Sequence, residues 1–506
     1  MTTLDAPADD AVGTLPAATD IAIVGGGFSG LAMGIRLRQE GVTDFVVLER
    51  GEQVGGTWWF NTYPGCGCDV PSHLYSFSFA PNPDWSRTYS KQPEIEAYLR
   101  RVADDFGVTP HVRLRTTVTG AEWDDDERRW CVETDRGTLR ARVLVSAAGA
   151  LSEPRTPDVE GLERFRGRSF HSAQWDHDYD VTGKRIAVIG TGASAIQFVP
   201  AIAPKAAQVH VFQRTAPWIM PHTDRPISDR ERKLYRRVPL LQRLVRAGVY
   251  AGRELFVLGF AKDPRVMKVA ERIARRHMRR QISDPALLEK VTPDYTIGCK
   301  RILPSNHWYP ALGRENVELV TDGIAEVRER SIVAGDGTER EVDAIVFGTG
   351  FRVVDMPVAR YVRGREGRTL DESWQGSPRA YLGCTVPGFP NFFMLLGPNT
   401  GLGHSSMVYM IESQVAYVVD ALRTMRASGA EVAEVRPEVV EAYNAELDAR
   451  MRGTVWMTGC SSWYLDDTGR NATLWPDWTF RFRRRTASFD PAAYVFHARR
   501  PAPVAA

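Results

Sequence analysis

Apolar positions fall into two arrangements that recur along the chain. An uninterrupted run, Ile21-Ala22-Ile23-Val24, is followed by Gly25, Gly26 and Gly27, and then by Leu31-Ala32-Met33-Gly34-Ile35-Arg36-Leu37, whose apolar positions keep helical spacing. A second run, Phe45-Val46-Val47-Leu48, stops at Glu49. Short apolar runs bounded by turn residues read as buried strands, so 21–49 predicts a strand–helix–strand unit with parallel strands. The layout returns at Arg185-Ile186-Ala187-Val188-Ile189, continues through Gly190 and Gly192, and ends with Val209-His210-Val211-Phe212. Between 225 and 280 the pattern is helical and heavily basic.

The glycines turn these patterns into candidate binding sites. In Gly25-Gly26-Gly27-Phe28-Ser29-Gly30, Gly25 allows the tight turn, Gly27 lets backbone approach a pyrophosphate, and Gly30 lets helix pack on strand. Glu49 stands 19 positions past Gly30, where a carboxylate bonds the ribose of an ADP group. In the second unit, Gly190, Gly192 and Ser194 form the turn, and Arg214-Thr215 follows the strand in place of an acid. A guanidinium there grips a 2′-phosphate that a carboxylate would repel, so this site is expected to take NADPH. Two such sites in one chain bring two dinucleotides together, the arrangement needed to pass electrons between them.

Composition narrows the class. The chain has 506 residues, enough for two to four domains, and a net charge of only +2, which gives no field to recruit nucleic acid. Its six cysteines (66, 68, 131, 299, 384, 460) show no framework spacing, and Cys66-Gly67-Cys68 lacks a second ligand pair, so no metal site is expected. Residues 1–20 have no basic, apolar signal pattern and read as a disordered leader, which points to a reducing cytoplasm. The apolar stretch 238–261 is broken by Arg243, Arg246, Arg253 and Glu254, so it does not span a membrane. Its basic surroundings are expected to be a solvated face; resting on an anionic membrane surface is the lesser alternative.

Two further segments carry a family resemblance. Gly55-Gly56-Thr57-Trp58, four free positions, Tyr63-Pro64-Gly65 and then Asp69 resemble the long fingerprint of type I Baeyer–Villiger monooxygenases. Phe165-Arg166-Gly167, His171 and Trp175-Asp176 are similar to the same family's shorter signature. The resemblance covers essentially everything after residue 20. It implies an α/β fold with two Rossmann-like dinucleotide-binding domains, for FAD and NADPH, and a helical insertion in the second. Expected boundaries are 1–151 and 356–506 for the split FAD domain, 152–219 and 299–355 for the NADPH domain, and 220–298 for the insertion. It further implies that Asp69 and Arg301 form the active-site pair, that Lys300 helps hold the NADPH 2′-phosphate, and that Trp58, Tyr75 and Met407 line FAD alongside Gly56. Trp463 resembles a tryptophan that reaches the nicotinamide dinucleotide. His171 and Trp175 look like domain-coupling elements rather than proton carriers. Asp343 to Phe351 resembles the strand and turn by which such chains return to the FAD domain.

The implied reaction uses NADPH, FAD and molecular oxygen to form a C4a-peroxyflavin, which inserts one oxygen atom beside the carbonyl of a hydrophobic ketone. A guanidinium suits that chemistry because it stays charged and stabilises oxyanions. The rival readings are sulfur or nitrogen oxygenation, or an NADPH-dependent flavin reductase or disulfide oxidoreductase. The last needs a redox cysteine pair, for which Cys66 and Cys68 stand too close together. The family's usual Asn-Ile-Pro-Gly-Lys-like loop is missing after Trp463. The aromatic cluster Trp475–Phe480 either lines a substrate pocket or packs the FAD domain.

Overall fold

The apolar runs become the central strands of two parallel sheets in a computed structural model that describes residues 13–353, 355–356 and 358–498. In the first sheet β1 (Ala18–Val24) leads through helix α1 (Phe28–Gln39) to β2 (Phe45–Leu48), which runs parallel with Ile21 opposite Phe45. The short β3 (Val112–Arg113) extends the β2 edge. Strands β4 (Val118–Asp124), β5 (Arg129–Thr134) and β6 (Gly137–Ser146) form an antiparallel meander, and β6 pairs in parallel with β1. Ile23, Leu31 and Val145 at this centre are fully buried, as continuous apolar strands covered on both faces require.

The second sheet is wholly parallel. It comprises β7 (Arg168–His171), β8 (Arg185–Ile189), β9 (Gln208–Phe212), β10 (Val317–Val320) and β11 (Ala344–Phe347), in the order β10-β9-β8-β11-β7. Helix α2 (Ala195–Ile202) joins β8 to β9. After β11 the chain returns to the first sheet, where β12 (Val362–Arg363) pairs with β4 and β13 (Phe392–Met394) takes up the end of β6 beyond β5. The outward and return crossings lie side by side: Arg155 N donates to Gly350 O (2.9 Å) and Arg352 N to Glu153 O (3.0 Å).

Four helices make up the insertion: α3 (Asp229–Arg237), α4 (Pro239–Glu254), α5 (Met267–Gln281) and α6 (Pro285–Val291). A Ser228–Glu231 capping box starts α3. Glu254, the last residue of α4, is buried against the first domain, where its carboxylate accepts from Thr479 N (2.9 Å) and Thr479 Oγ1 (2.6 Å) with His404 Nε2 at 3.3 Å. His404 lies just ahead of the long helix α7 (Met407–Ser428).

Two expectations need correction, and one alternative stands open. The leader is shorter than 1–20, because β1 begins at Ala18 and Asp20 pairs with Arg142 at 2.6 Å; residues 1–12 lie outside the described residues. The cysteines are not all unpaired: Cys299 and Cys460 form a disulfide across 161 residues, a pairing that spacing could not reveal. The aromatic cluster divides, with Trp475 fully buried against Phe482 while Phe480 is exposed.

Candidate active site

The first glycine turn is dictated by close backbone contact. Gly25 has φ +107°, and a Cβ there would stand 2.6 Å from the Ala147 carbonyl oxygen; one on Gly30 would run into the Gly25 carbonyl. Glu49, at the end of β2, accepts from Gly26 N (2.6 Å) and Gly51 N (2.7 Å), which fixes its carboxylate beside the turn. Burial raises its pKa, partly countered by these N–H groups. Helix α1 begins at Gly27 with no side-chain cap, so its first N–H groups face the turn as anion donors. Gly55 N donates to Gly26 O (2.9 Å), and a Cβ on Gly56 would approach Gly27 Cα to 2.9 Å, so the long fingerprint starts against the dinucleotide turn. Trp58 Nε1 donates to Tyr75 OH (3.1 Å), and Tyr75 packs edge-on against Phe28 of α1. Met407 opens α7 behind the Ser406 cap. A glycine cradle, an uncapped helix start and a fixed carboxylate are what FAD binding requires, and the residues present fit it.

The second turn repeats the geometry. Gly190 has φ +106°, with the Gly348 carbonyl where a Cβ would go, and Gly192 is exposed ahead of α2, whose cap residue Ser194 makes no capping bond. Arg214 is exposed just beyond β9, and Thr191 Oγ1 donates to Thr215 O (3.3 Å). The Lys300 amine is pulled below its ordinary pKa, first by burial and then by the charge of Arg214, with Asp294 opposing. A lysine close enough to Arg214 to feel its charge makes with it a cation pair that fits a 2′-phosphate.

Between the two turns stands the ion pair. Arg301 Nη2 donates to Asp69 Oδ2 at 2.5 Å and Nε to the same oxygen at 3.2 Å, across 232 residues of sequence. Both groups keep some solvent access, 32% for the arginine side chain and 23% for the aspartate. Burial by itself would raise the Asp69 carboxyl; the Arg301 guanidinium more than offsets this, so it lies below the usual carboxylate range. The Asp69 charge in turn raises Arg301. Arg253, from α4, donates to the Asp69 carbonyl (3.2 Å). Buried Tyr464 lies within electrostatic reach of Arg301, its phenol pushed up to about 12 by burial.

The remaining signature residues position this pair. Gly65 (φ +83°) presses against α2, where a Cβ would lie 2.7 Å from Gln197 O. Gln197 accepts from Tyr63 OH (3.0 Å) and donates to Gly67 O (3.0 Å). Phe198 of α2 lies between Tyr63, from the long fingerprint, and Trp175, from the short one, with ring centroids at 6.0 and 5.4 Å. His171 ends β7, its Nδ1 accepting from Ala173 N (3.1 Å). Burial depresses its pKa to about 4, so it is neutral near pH 7. Trp463, at 44% exposure, leans on Tyr464. Sequence reasoning missed Tyr464, Arg253 and Gln197, none of which belongs to a glycine or tryptophan motif. Cys66 and Cys68 are free and buried, with burial pushing the Cys66 thiol up to about 11 and the Cys68 thiol well above its usual range, which disfavours thiolate chemistry in the fingerprint.

Two dinucleotide turns and a half-buried arginine–carboxylate pair define a two-dinucleotide flavoprotein oxidoreductase. Residues 22–228 match the family model described as pyridine nucleotide-disulphide oxidoreductase. A Baeyer–Villiger monooxygenase of Streptomyces coelicolor is 55% identical over 485 residues, covering 96% of this chain and 93% of its own. Another, from Pseudomonas aeruginosa, is 54% identical over 477 residues, covering 94% and 90%. Among solved structures, a steroid monooxygenase bound to NADP superposes with TM-score 0.85 at 35% identity, covering 96% of this chain and 100% of its own. The NADP⁺-bound cyclohexanone monooxygenase of Rhodococcus sp. Phi1 does so with TM-score 0.85 at 30% identity and the same coverage. The chain belongs to the Baeyer–Villiger monooxygenase family.

Proposed function

We propose that the cleft between the two glycine turns converts a hydrophobic ketone into an ester or lactone, with Arg301 acting on the reacting oxygen and Asp69 holding it in place. The first glycine turn, Glu49 and the start of α1 would hold FAD, which would supply the redox chemistry between NADPH and O₂ by which one oxygen atom enters beside the carbonyl and the other leaves as water. The carrying observation is the Arg301–Asp69 pair, held by segments from both sides of the cleft.

Arg301 remains charged at any working pH, so it does not donate its proton and instead stabilises negative charge that develops on oxygen. Asp69 supplies the counter-charge without which a guanidinium in this setting is costly. Both Arg301 N–H contacts fall on one Asp69 oxygen, which leaves the remaining guanidinium donor face for a reacting group. Arg214 and Lys300 bind the NADPH 2′-phosphate, and the N-terminus of α2 receives the pyrophosphate. His171, neutral and buried, supports the junction rather than moving a proton.

The test is Arg301→Ala, reduced with NADPH under argon and then exposed to oxygen. FAD content and reduction by NADPH stay near those of the parent, hydrogen peroxide appears, and ester formation falls by about 100-fold or more, the scale for loss of an oxyanion-stabilising donor. Ester formation at the parental rate overturns the assignment.

A further inference from the structure

The helical insertion presents a surface that the oxygenation chemistry does not use. Of the fourteen large apolar side chains exposed among the described residues, ten lie between Leu234 and Ile273. Along α4, Leu241, Gln242, Val245 and Val249 face the body of the protein, while Leu240, Leu244, Ala247, Ala251 and Leu255 recur, exposed, on the opposite side at helical spacing. Gly248 and Gly252 lie on that side with nothing near them. Phe256 follows at 46% exposure, and the turn after it folds against Val266, whose neighbours along α5, Val269 and Ile273, are 57% and 44% exposed. The result is a helix apolar on its outer side as well as its inner one, a pattern without a folding rationale.

Cations flank this apolar ridge. The next turns of α5 line a shallow groove of about 310 Å³ with Arg272, Arg275, Arg276, Arg279 and Arg280. Arg275 pairs with Glu271, whereas the other four and Arg243 make no ion pair or hydrogen bond among the described residues. Residues 229–281 hold sixteen basic and five acidic residues, an excess of eleven in a chain of net +2, so the rest of the protein carries a net charge of −9. The cationic charge is thus gathered on the element that exposes the apolar ridge.

We infer that the α4–α5 face of the insertion docks on an anionic lipid surface, with the Leu240–Ile273 ridge entering the headgroup boundary and the α5 arginines meeting the phosphates. Apolar ridge and cation flank are the two attractions by which an interfacial helix binds such a surface, and a lipid surface asks for no shaped groove in return. No helix of the described residues is long and apolar enough to cross a membrane, which fits contact by one face. Charge disfavours a second copy of this chain as the occupant, because a two-fold contact sets the two basic faces against each other.

The experiment is co-sedimentation of the FAD-loaded full chain with vesicles of phosphatidylcholine, with and without phosphatidylglycerol, at low and high salt. Two double variants accompany it: Phe256→Ser with Val269→Ser, and Arg276→Glu with Arg280→Glu. The expected result is pelleting with phosphatidylglycerol vesicles at low salt, reversed by high salt, and weakened about tenfold or more in either variant while FAD content and thermal midpoint hold. Arg276→Lys with Arg280→Lys keeps the binding. If the apolar variant loses FAD, Leu240→Ser at the far end of the ridge replaces it. Equal pelleting with both vesicle types, pelleting untouched by the variants, or none at all overturns the proposal. So does a dimer of the free protein in sedimentation velocity that Phe256→Ser with Val269→Ser converts to monomer, since the ridge is then a self-association face.

Discussion

At the scale of single residues, Asp69 and Arg214 act through charge. Because Arg301 holds the Asp69 pKa below the usual carboxylate range, the stability their pair supplies is complete above that range and is lost as pH falls through the depressed native value. Asp69→Asn is therefore expected to lower the thermal midpoint by the same amount from about pH 8 to about pH 5, with the gap to the parent closing only below about pH 4. Melting curves across that range check it; a gap that changes between pH 6 and pH 8 places the effect elsewhere. Arg214 is read by cofactor choice. Replacing it with Ala is expected to raise KM for NADPH about tenfold or more, the scale of a lost charge-assisted hydrogen bond, and to leave KM for NADH nearly unchanged. Steady-state kinetics with both cofactors separates this from a general loss of binding. Both residues were legible in the chain because each follows a recognisable strand or fingerprint. Tyr464 and Arg253 were not, since they reach Arg301 and Asp69 only through the tertiary fold.

At the scale of elements, the glycine turns were readable because backbone conformation restricts residue type. A position with φ near +107° facing a carbonyl at 2.6 Å admits only glycine, so Gly25 and Gly190 announce themselves. Docking of the helical insertion was hidden, because part of it rests on Glu254, one of five acids in a mostly basic segment. Its carboxylate serves Thr479 and His404 together, both buried. Truncating it strands those donors, so Glu254→Ala is expected to cost about 3 kcal/mol and to lower the midpoint of flavin release on heating, with Glu254→Gln intermediate because it keeps one acceptor. A midpoint matching the parent in Glu254→Ala shows that α4 is held by its apolar contacts instead. Phe198 carries a related lesson. The two tryptophan-bearing signatures, over 100 residues apart, converge on its ring, which gives their spacing a packing reason.

At the scale of the molecule, one sheet is begun by the first part of the chain and finished by the last, with the second sheet inserted between. The apolar runs foretold both sheet centres, while the return strands Val362–Arg363 and Phe392–Met394 are too short to stand out in a sequence. The Cys299–Cys460 bond acts at this same scale. It makes a closed covalent loop that begins two residues before Arg301, runs through β10, β11 and the return to the first sheet, and ends near the C-terminus. A cut in the backbone anywhere inside that loop opens it without releasing a fragment, so the severed pieces travel together until a reductant parts them.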